Sequence, residues 1–418
     1  MPQQALIAAT IEAAETQKSP NRLLVFAASY FIIFCCAAPV AFSVFDLPMQ
    51  AATGGTASQV ALTLTIFQFV VATFAILAGK VVDKSGPKIL MYIGALLFGL
   101  GWIFTAYATS LPVLYFSFGV LAGAGNGILY NSCIATALRW YPDKRGTMSG
   151  ILLSAASFGP LALAKAGAYL CDRFGLQGLV YIGITCTVLI WAVGWLMKVP
   201  EQGWTPENWT PPAPKPGSAA ARDYTPGEMI RTGNFWLLLA LYSIACTSGI
   251  MLMSSLSRIG QTQLGMTALA ASNLVVFNCL ANFAGRIGIG RLCDRLGEVQ
   301  TLILILAATI VSLVGLRYAD TQAMYIAFML ILGAAFGGIL VVFPPLTYRT
   351  FGLKNAGANY GLMFFGYSIG TLIGPQISAL AVNPELGRMT YANAYLIASG
   401  VAALGIVLSI YIIKRKIA

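Results

Sequence analysis

Residues 272–294 read SNLVVFNCLANFAGRIGIGRLCD, and the fold turns on how this stretch is understood. It is apolar and long enough to cross a bilayer, for which about 20 residues suffice. Yet Asn278, Asn282 and Arg286 follow one another at intervals of four, which puts all three on one face of a helix. Arg286 lies eight residues before Asp294. At 1.5 Å per residue that is roughly 12 Å of helix, which carries it towards the middle of a ~30 Å hydrocarbon core. A guanidinium there is costly unless it faces a partner, a water-filled cavity or a ligand.

The rest of the 418-residue chain is of the same kind. It is 58% hydrophobic and 9% charged, with a mean hydropathy of +0.78, whereas soluble domains carry about 25% charged residues. The expected fold class is therefore an all-α membrane protein that crosses the bilayer many times. Histidine is absent, which removes His-based metal sites, general bases and pH switches. The eight cysteines fall in or at the ends of apolar segments and form no CxxC. They read as small buried residues, so no disulfide framework, metal or cofactor is expected. The net charge of +11 is concentrated in short loops, which is the positive-inside pattern and not a nucleic-acid surface. Residues 1–20 carry Glu12, Glu15 and Lys18 and no apolar core, so they are not read as a cleavable signal.

Periodicity and turn signals give twelve expected spans, at 22–45, 58–80, 88–108, 111–138, 147–171, 177–198, 233–256, 268–292, 299–317, 321–347, 357–381 and 391–413. An even number returns both ends to one side. Arg173, Arg258, Arg317 and Arg388 then fall in the opposite loops and Lys165 and Arg286 within spans, while the rest of the 25 basic residues lie on the side of the termini. The expected placement is a plasma membrane, the inner membrane of a bacterium, with both termini cytoplasmic. Between spans six and seven, EQGWTPENWTPPAPKPGSAAARDYTPGE (201–228) is rich in Pro, Gly and Ala without an apolar period, and reads as a flexible linker. The domain reading is residues 1–198 as one six-helix bundle, 199–232 as a cytoplasmic linker and 233–418 as a second bundle. Thr225, Pro226 and Glu228 carry the chemistry of a helix start.

The two halves repeat. GKVVDKSGPK (79–88) returns as GRLCDRLGEV (290–299), and RGTMSG (145–150) aligns with AGANYG (356–361), both at an offset of 211. Gly146 meets Gly357 and Gly150 meets Gly361. The glycines of span four, Gly123 and Gly127, match Gly333 and Gly337 in span ten at an offset of 210. A parallel repeat of six spans predicts two bundles with a site near the midplane between them.

The loop 79–88 resembles the signature G-x-x-x-D-[RK]-x-G-[RK]-[RK] of the major facilitator superfamily, with Gly79, Asp83, Lys84 and Gly86 in place and Pro87 where a basic residue is usual. The second copy keeps Gly290, Asp294, Arg295 and Gly297. The resemblance implies twelve transmembrane helices in two six-helix bundles. Physically, the glycine allows close helix approach. The aspartate can accept from a neighbouring helix N-terminus or an arginine in one state only, which makes the loop a conformational latch.

A narrower resemblance lies in LAGAGNGILYNSCIATALRWYPDKRGTMSG (121–150), which is similar to the oxalate/formate antiporter family and the related monocarboxylate transporters; FPPLTYRTFG (343–352) and NYG (359–361) echo it. This resemblance implies that Arg286 pairs with a substrate carboxylate. It places Tyr130, Phe336, Leu340 and Phe364 around the substrate, and puts Tyr367 where the antiporter has a second basic residue, a lysine. One cation instead of two points to a single carboxylate with a polar or apolar tail.

Helical side chains lean towards the N-terminus, so Arg286 leans to the midplane, where Asn282, one turn away, reads equally as a substrate-binding residue and as interhelical glue. A guanidinium suits a carboxylate because its planar fork gives two charge-assisted hydrogen bonds. Asn278 reads as interhelical packing. Lys165 reads as snorkelling outward or pairing with Asp172; facing the cavity instead, it would be a second cation. No Asp or Glu falls inside a span, and Asp46 is the nearest.

The expected function is a monomeric secondary transporter of small carboxylate anions in the lipid bilayer. The favoured substrates are monocarboxylates such as lactate, pyruvate or formate, moved by alternating access as proton symport or anion exchange. The alternatives are a dicarboxylate antiporter using Arg286 and Lys165, and a membrane sensor that binds carboxylates without turnover. An enzyme is not expected, because no span holds an acid–base or metal cluster.

Overall fold

Inside a bilayer no water satisfies the backbone, so each spanning segment must bond its own N–H and C=O groups and becomes a helix. The computed structural model describes residues 22–201, 204–206, 223–253, 256–383, 385 and 390–415. The readings of residues 1–20 and of the middle of the linker lie outside them.

Twelve rods run through the described residues. The N-terminal half holds α1 (Arg22–Cys35), α2 (Ala57–Ser85), α3 (Lys88–Thr105), α4 (Gly123–Ala137), α5 (Arg145–Phe174) and α6 (Gly178–Gly194). The C-terminal half holds α7 (Gly233–Met253), α8 (Ala268–Leu296), α9 (Glu298–Arg317), α10 (Gln322–Phe351), α11 (Ala356–Met363, resuming as Phe365–Leu380) and α12 (Ala392–Lys414). Among the described residues eight stretches are long and apolar enough to count as spans on those grounds alone. The rods outside that group include α1, which breaks after Cys35, α8 with its Asn and Arg stripe, and α11, which breaks at Phe364.

Local chemistry sets the ends. Thr56 and Gln59 form a capping box that starts α2, with Gln59 Oε1 accepting from the Thr56 N–H at 2.9 Å. Thr225 and Glu228 form another before α7, where the sequence placed a helix start. The turns after α2 and α8 need φ values of +82° at Gly86 and +91° at Gly297, which glycine adopts without a Cβ clash. These two glycines occupy matching places in the repeat.

Close packing follows the same symmetry. Gly127 of α4 lies against the backbone of Val71 on α2, and Gly337 of α10 against that of Asn282 on α8. Small residues allow this approach, and dispersion contacts then hold the helices where lipid offers no hydrophobic drive. Phe42, Phe67, Phe98, Trp102 and Phe118 form an aromatic core in the first half. Tyr242 stacks on Phe343 at 3.7 Å in the second. The outward faces keep large apolar side chains such as Leu62, Ile93, Leu96 and Val407 exposed, as a lipid-facing surface requires.

The described ends of the linker are docked. Trp204 packs edge-on to Trp140 at 4.8 Å on the first half. Asp223 accepts from the Leu353 and Lys354 N–H groups, and the Tyr224 carbonyl accepts from Asn355 and Asn359, on the second half.

Candidate substrate cavity and its latches

The halves meet through α5 against α8 and α2 against α11, and both seams start at a carboxylate. Asp83, in the last turn of α2, accepts from the N–H groups of Gly357 (3.1 Å) and Ala358 (3.0 Å) in the first turn of α11. Arg139 Nη2 donates to the same carboxylate. Asp294, in the last turns of α8, accepts from Gly146 and Thr147 at the start of α5, both at 2.7 Å. A carboxylate at a helix N-terminus satisfies donors that the helix leaves free and meets the positive end of its dipole. The donors Gly146 and Gly357 are themselves repeat mates. A Cβ on Gly79 would stand 2.2 Å from the Gly357 carbonyl carbon, and one on Gly290 2.5 Å from the Gly146 oxygen. Lys84 and Arg295 are exposed.

Between the same two halves lies a cavity of about 200 Å³. Arg286, Tyr130, Tyr367, Leu340 and Phe364 line it together, with Cys36, Ala37, Pro39, Phe67, Gln68, Val71, Asn126 and Ala156. Arg286 is 6% exposed. Its Nε donates to Asn282 Oδ1 at 2.9 Å, and its Nη1 donates to the Leu153 carbonyl of α5, in the other half. Among the described residues no protein group accepts from Nη2, and no carboxylate lines the cavity. A buried guanidinium in this setting keeps a strong demand for an anion. Phe364 stacks on Tyr367 at 5.1 Å and leans on Tyr130 at 5.6 Å, so the two phenols flank an apolar plate.

Positions at the cavity wall or just behind it are repeat mates with different chemistry. Ala75 and Arg286 correspond, as do Val71 and Asn282, Ala156 and Tyr367, and Tyr130 and Leu340. The one cation therefore comes from the second half, and the first half supplies an alanine in its place.

Other residues singled out in the sequence stand apart from this cavity. Phe336 does not line it; its ring packs over Gly249 of α7. Lys165 is exposed. It lies nine residues beyond Ala156 on α5, and at about 100° per residue that turns it to the opposite face of the helix. Asn278 is away from the cavity beside Gly333, with its Oδ1 buried and unbonded.

Three features escaped the sequence reading. The chain breaks after Cys35, and the 3₁₀ turn Ala38–Phe45 places Pro39 where a donor to the Cys36 carbonyl would be. Asn126 Nδ2 takes that carbonyl at 2.8 Å and holds the break against the cavity. Gln68 was hidden among apolar neighbours on α2. Ser157 donates to Asn282 Oδ1 across the seam, and its only sequence signal was its repeat mate, Ser368, which donates to the Gln68 carbonyl at 3.3 Å.

Two helical halves related by an internal repeat meet around a largely apolar cavity that holds one buried cation, Arg286, and the family to which the chain belongs makes it a transporter, not an enzyme. The chain belongs to the Major Facilitator Superfamily, which it matches over residues 26–375 and again over 262–416. It is 26% identical over 333 residues to YhjX of Escherichia coli (strain K12), described as an uncharacterized MFS-type transporter, covering 79% of this chain and 81% of that one. It is 27% identical over 390 residues to the oxalate:formate antiporter of Oxalobacter formigenes, covering 92% and 90%. Among solved structures it is similar to the transporter FucP in the outward conformation, with a TM-score of 0.69 at 18% identity over 92% of this chain and 98% of that one.

Proposed function

We propose that this chain is a secondary transporter of small monocarboxylates, with Arg286 pairing the substrate carboxylate. The observation that carries the reading is a buried guanidinium, fixed on two sides by Asn282 and Leu153, that faces a small cavity lined by no carboxylate among the described residues. The planar fork offers the carboxylate charge-assisted hydrogen bonds. The hydroxyls of Tyr130 and Tyr367 are neutral donors beside it, and Leu340 and Phe364 accept a short apolar tail.

Alternating access follows from the two seams. Here the latches hold the halves together on the side of the loops after α2, α4, α8 and α10. With both termini cytoplasmic, that side is the cytoplasm, and the cavity is poised for loading from outside. An anion on Arg286 neutralises the charge that opposes passage of the site through a closed, low-dielectric state. The anion then moves by exchange or with a proton.

The likeness to an oxalate:formate antiporter favours a second reading, dicarboxylate exchange. Oxalate would face one cation, because Lys165 is on the exposed face of α5, so the monocarboxylate reading is preferred. Uptake of labelled lactate, formate and oxalate into liposomes, with and without a pH gradient and with internal counter-substrate, tests both. Lactate or formate is expected to move. The carboxylate reading fails if none of the three is taken up or competes.

A further inference from the structure

We infer that Ser157 is a positioning residue for anion recognition at Arg286, and that it acts only while the latches are closed. The inference rests on the carboxylate reading of the cavity.

Ser157 sits in the middle of α5, is 5% exposed, and does not line the cavity. A serine in such a place ordinarily bonds back to a carbonyl one turn earlier in its own helix. Ser29, Ser243 and Ser399 do so at 2.8–2.9 Å. For Ser157 that carbonyl belongs to Leu153, and Leu153 already accepts from Arg286 Nη1. The Ser157 hydroxyl turns instead to Asn282 Oδ1, the oxygen that also accepts from Arg286 Nε. Asn282 Nδ2 donates to the Gly333 carbonyl at 3.3 Å, which sets the amide with its oxygen towards both donors.

The result is a closed ring of contacts through Ser157, Asn282, Arg286 and Leu153. Nε and Nη1 are held, and Nη2 is left for the cavity. Two members of the ring belong to α5 and two to α8, in opposite halves. Separating α5 from α8 when the latches open removes Ser157 and Leu153 from the ring and frees the guanidinium to rotate. The repeat supports a dedicated role. Ser368 makes the matching cross-seam contact to Gln68, but Val71 and Ala75 stand there in place of Asn282 and Arg286, so no cation is positioned.

The test is the KM for labelled lactate, measured separately from each face in oriented vesicles and normalised to inserted protein. Ser157→Ala is expected to raise KM about threefold to tenfold from the face opposite the latches, the effect of one hydrogen bond. KM from the latch side should stay within about twofold, and the maximal rate from that side should fall by the factor by which the opposite KM rises, because both directions share one equilibrium; Ser157→Thr should behave as wild type, because threonine keeps the hydroxyl. If the alanine variant does not insert, Ser157→Cys, a weaker donor, replaces it and is expected to show a smaller one-sided rise. An unchanged KM, an equal rise from both faces, or a loss confined to the maximal rate overturns the inference while wild-type uptake leaves the carboxylate reading standing. Absence of carboxylate uptake by the wild type overturns that reading, and the role of Ser157 with it.

Discussion

Arg286 and Ala75 occupy the same position in the two halves, and each has a glycine of the opposite half against its backbone. A Cβ on Gly150 would stand 2.2 Å from the Arg286 carbonyl oxygen, and one on Gly361 would stand 2.8 Å from that of Ala75. The scaffold is symmetric to this level, and the charge is not. One half carries a guanidinium where its copy carries a methyl group.

The two latches are expected to set the balance between conformations. Asp294→Ala removes two charge-assisted hydrogen bonds to Gly146 and Thr147. At about 1.5–3 kcal/mol for bonds to a charged group, the ratio of closed to open latch should fall tenfold or more. Labelling of a cysteine introduced at Ser149, which is 0% exposed between the halves, should rise accordingly. Unchanged labelling would remove Asp294 from that role.

Gly290→Ala should act on the same equilibrium by a steric route. Its Cβ has no room beside Gly146 while the latch is closed. The variant is expected to insert normally but to favour the state with α5 and α8 apart, with labelling at position 149 increased as in Asp294→Ala. Wild-type labelling would show that the seam can widen without cost.

Tyr130→Phe and Tyr367→Phe each remove one cavity hydroxyl and leave the ring contacts to Phe364 in place. Each is expected to raise the KM for lactate by about twofold to tenfold, a hydrogen bond's contribution. A KM unchanged in both would mean that the phenols only pack.

Lys165→Ala should leave the uptake of lactate and of oxalate within about twofold of wild type, since exposed charges contribute little. Loss of oxalate binding in this variant would bring Lys165 back as a second cation and with it the dicarboxylate reading.

Much of this architecture was legible in the sequence because the repeat carries it. The offset that pairs Asp83 with Asp294 also pairs their donors, Gly357 and Gly146, so the two seams repeat as the halves do. The stripe of Asn282 and Arg286 was legible from helical spacing, and its cost in a bilayer marked it. Which face of a helix meets the cavity was harder to read. Phe336 and Leu340 are one turn apart on α10, yet only Leu340 lines the cavity, and Lys165 is turned away on α5. Rotation about a helix axis depends on neighbours that a single span does not name. The Leu153 carbonyl was invisible because backbone groups leave no mark on residue identity. Ser157 was invisible because an isolated serine in an apolar helix looks like packing. The break after Cys35 was signalled by Pro39, but its capture by Asn126 needed the contact between α4 and the broken segment.

The most direct measurement is saturable uptake of labelled lactate by wild type and Arg286→Ala in the same liposomes, with unlabelled formate and lactamide as competitors. Formate is expected to compete, lactamide, which has nearly the size of lactate but no charge, is not, and Arg286→Ala is expected to abolish uptake. Uptake that survives in Arg286→Ala, or lactamide competing as well as formate, would contradict carboxylate pairing at Arg286.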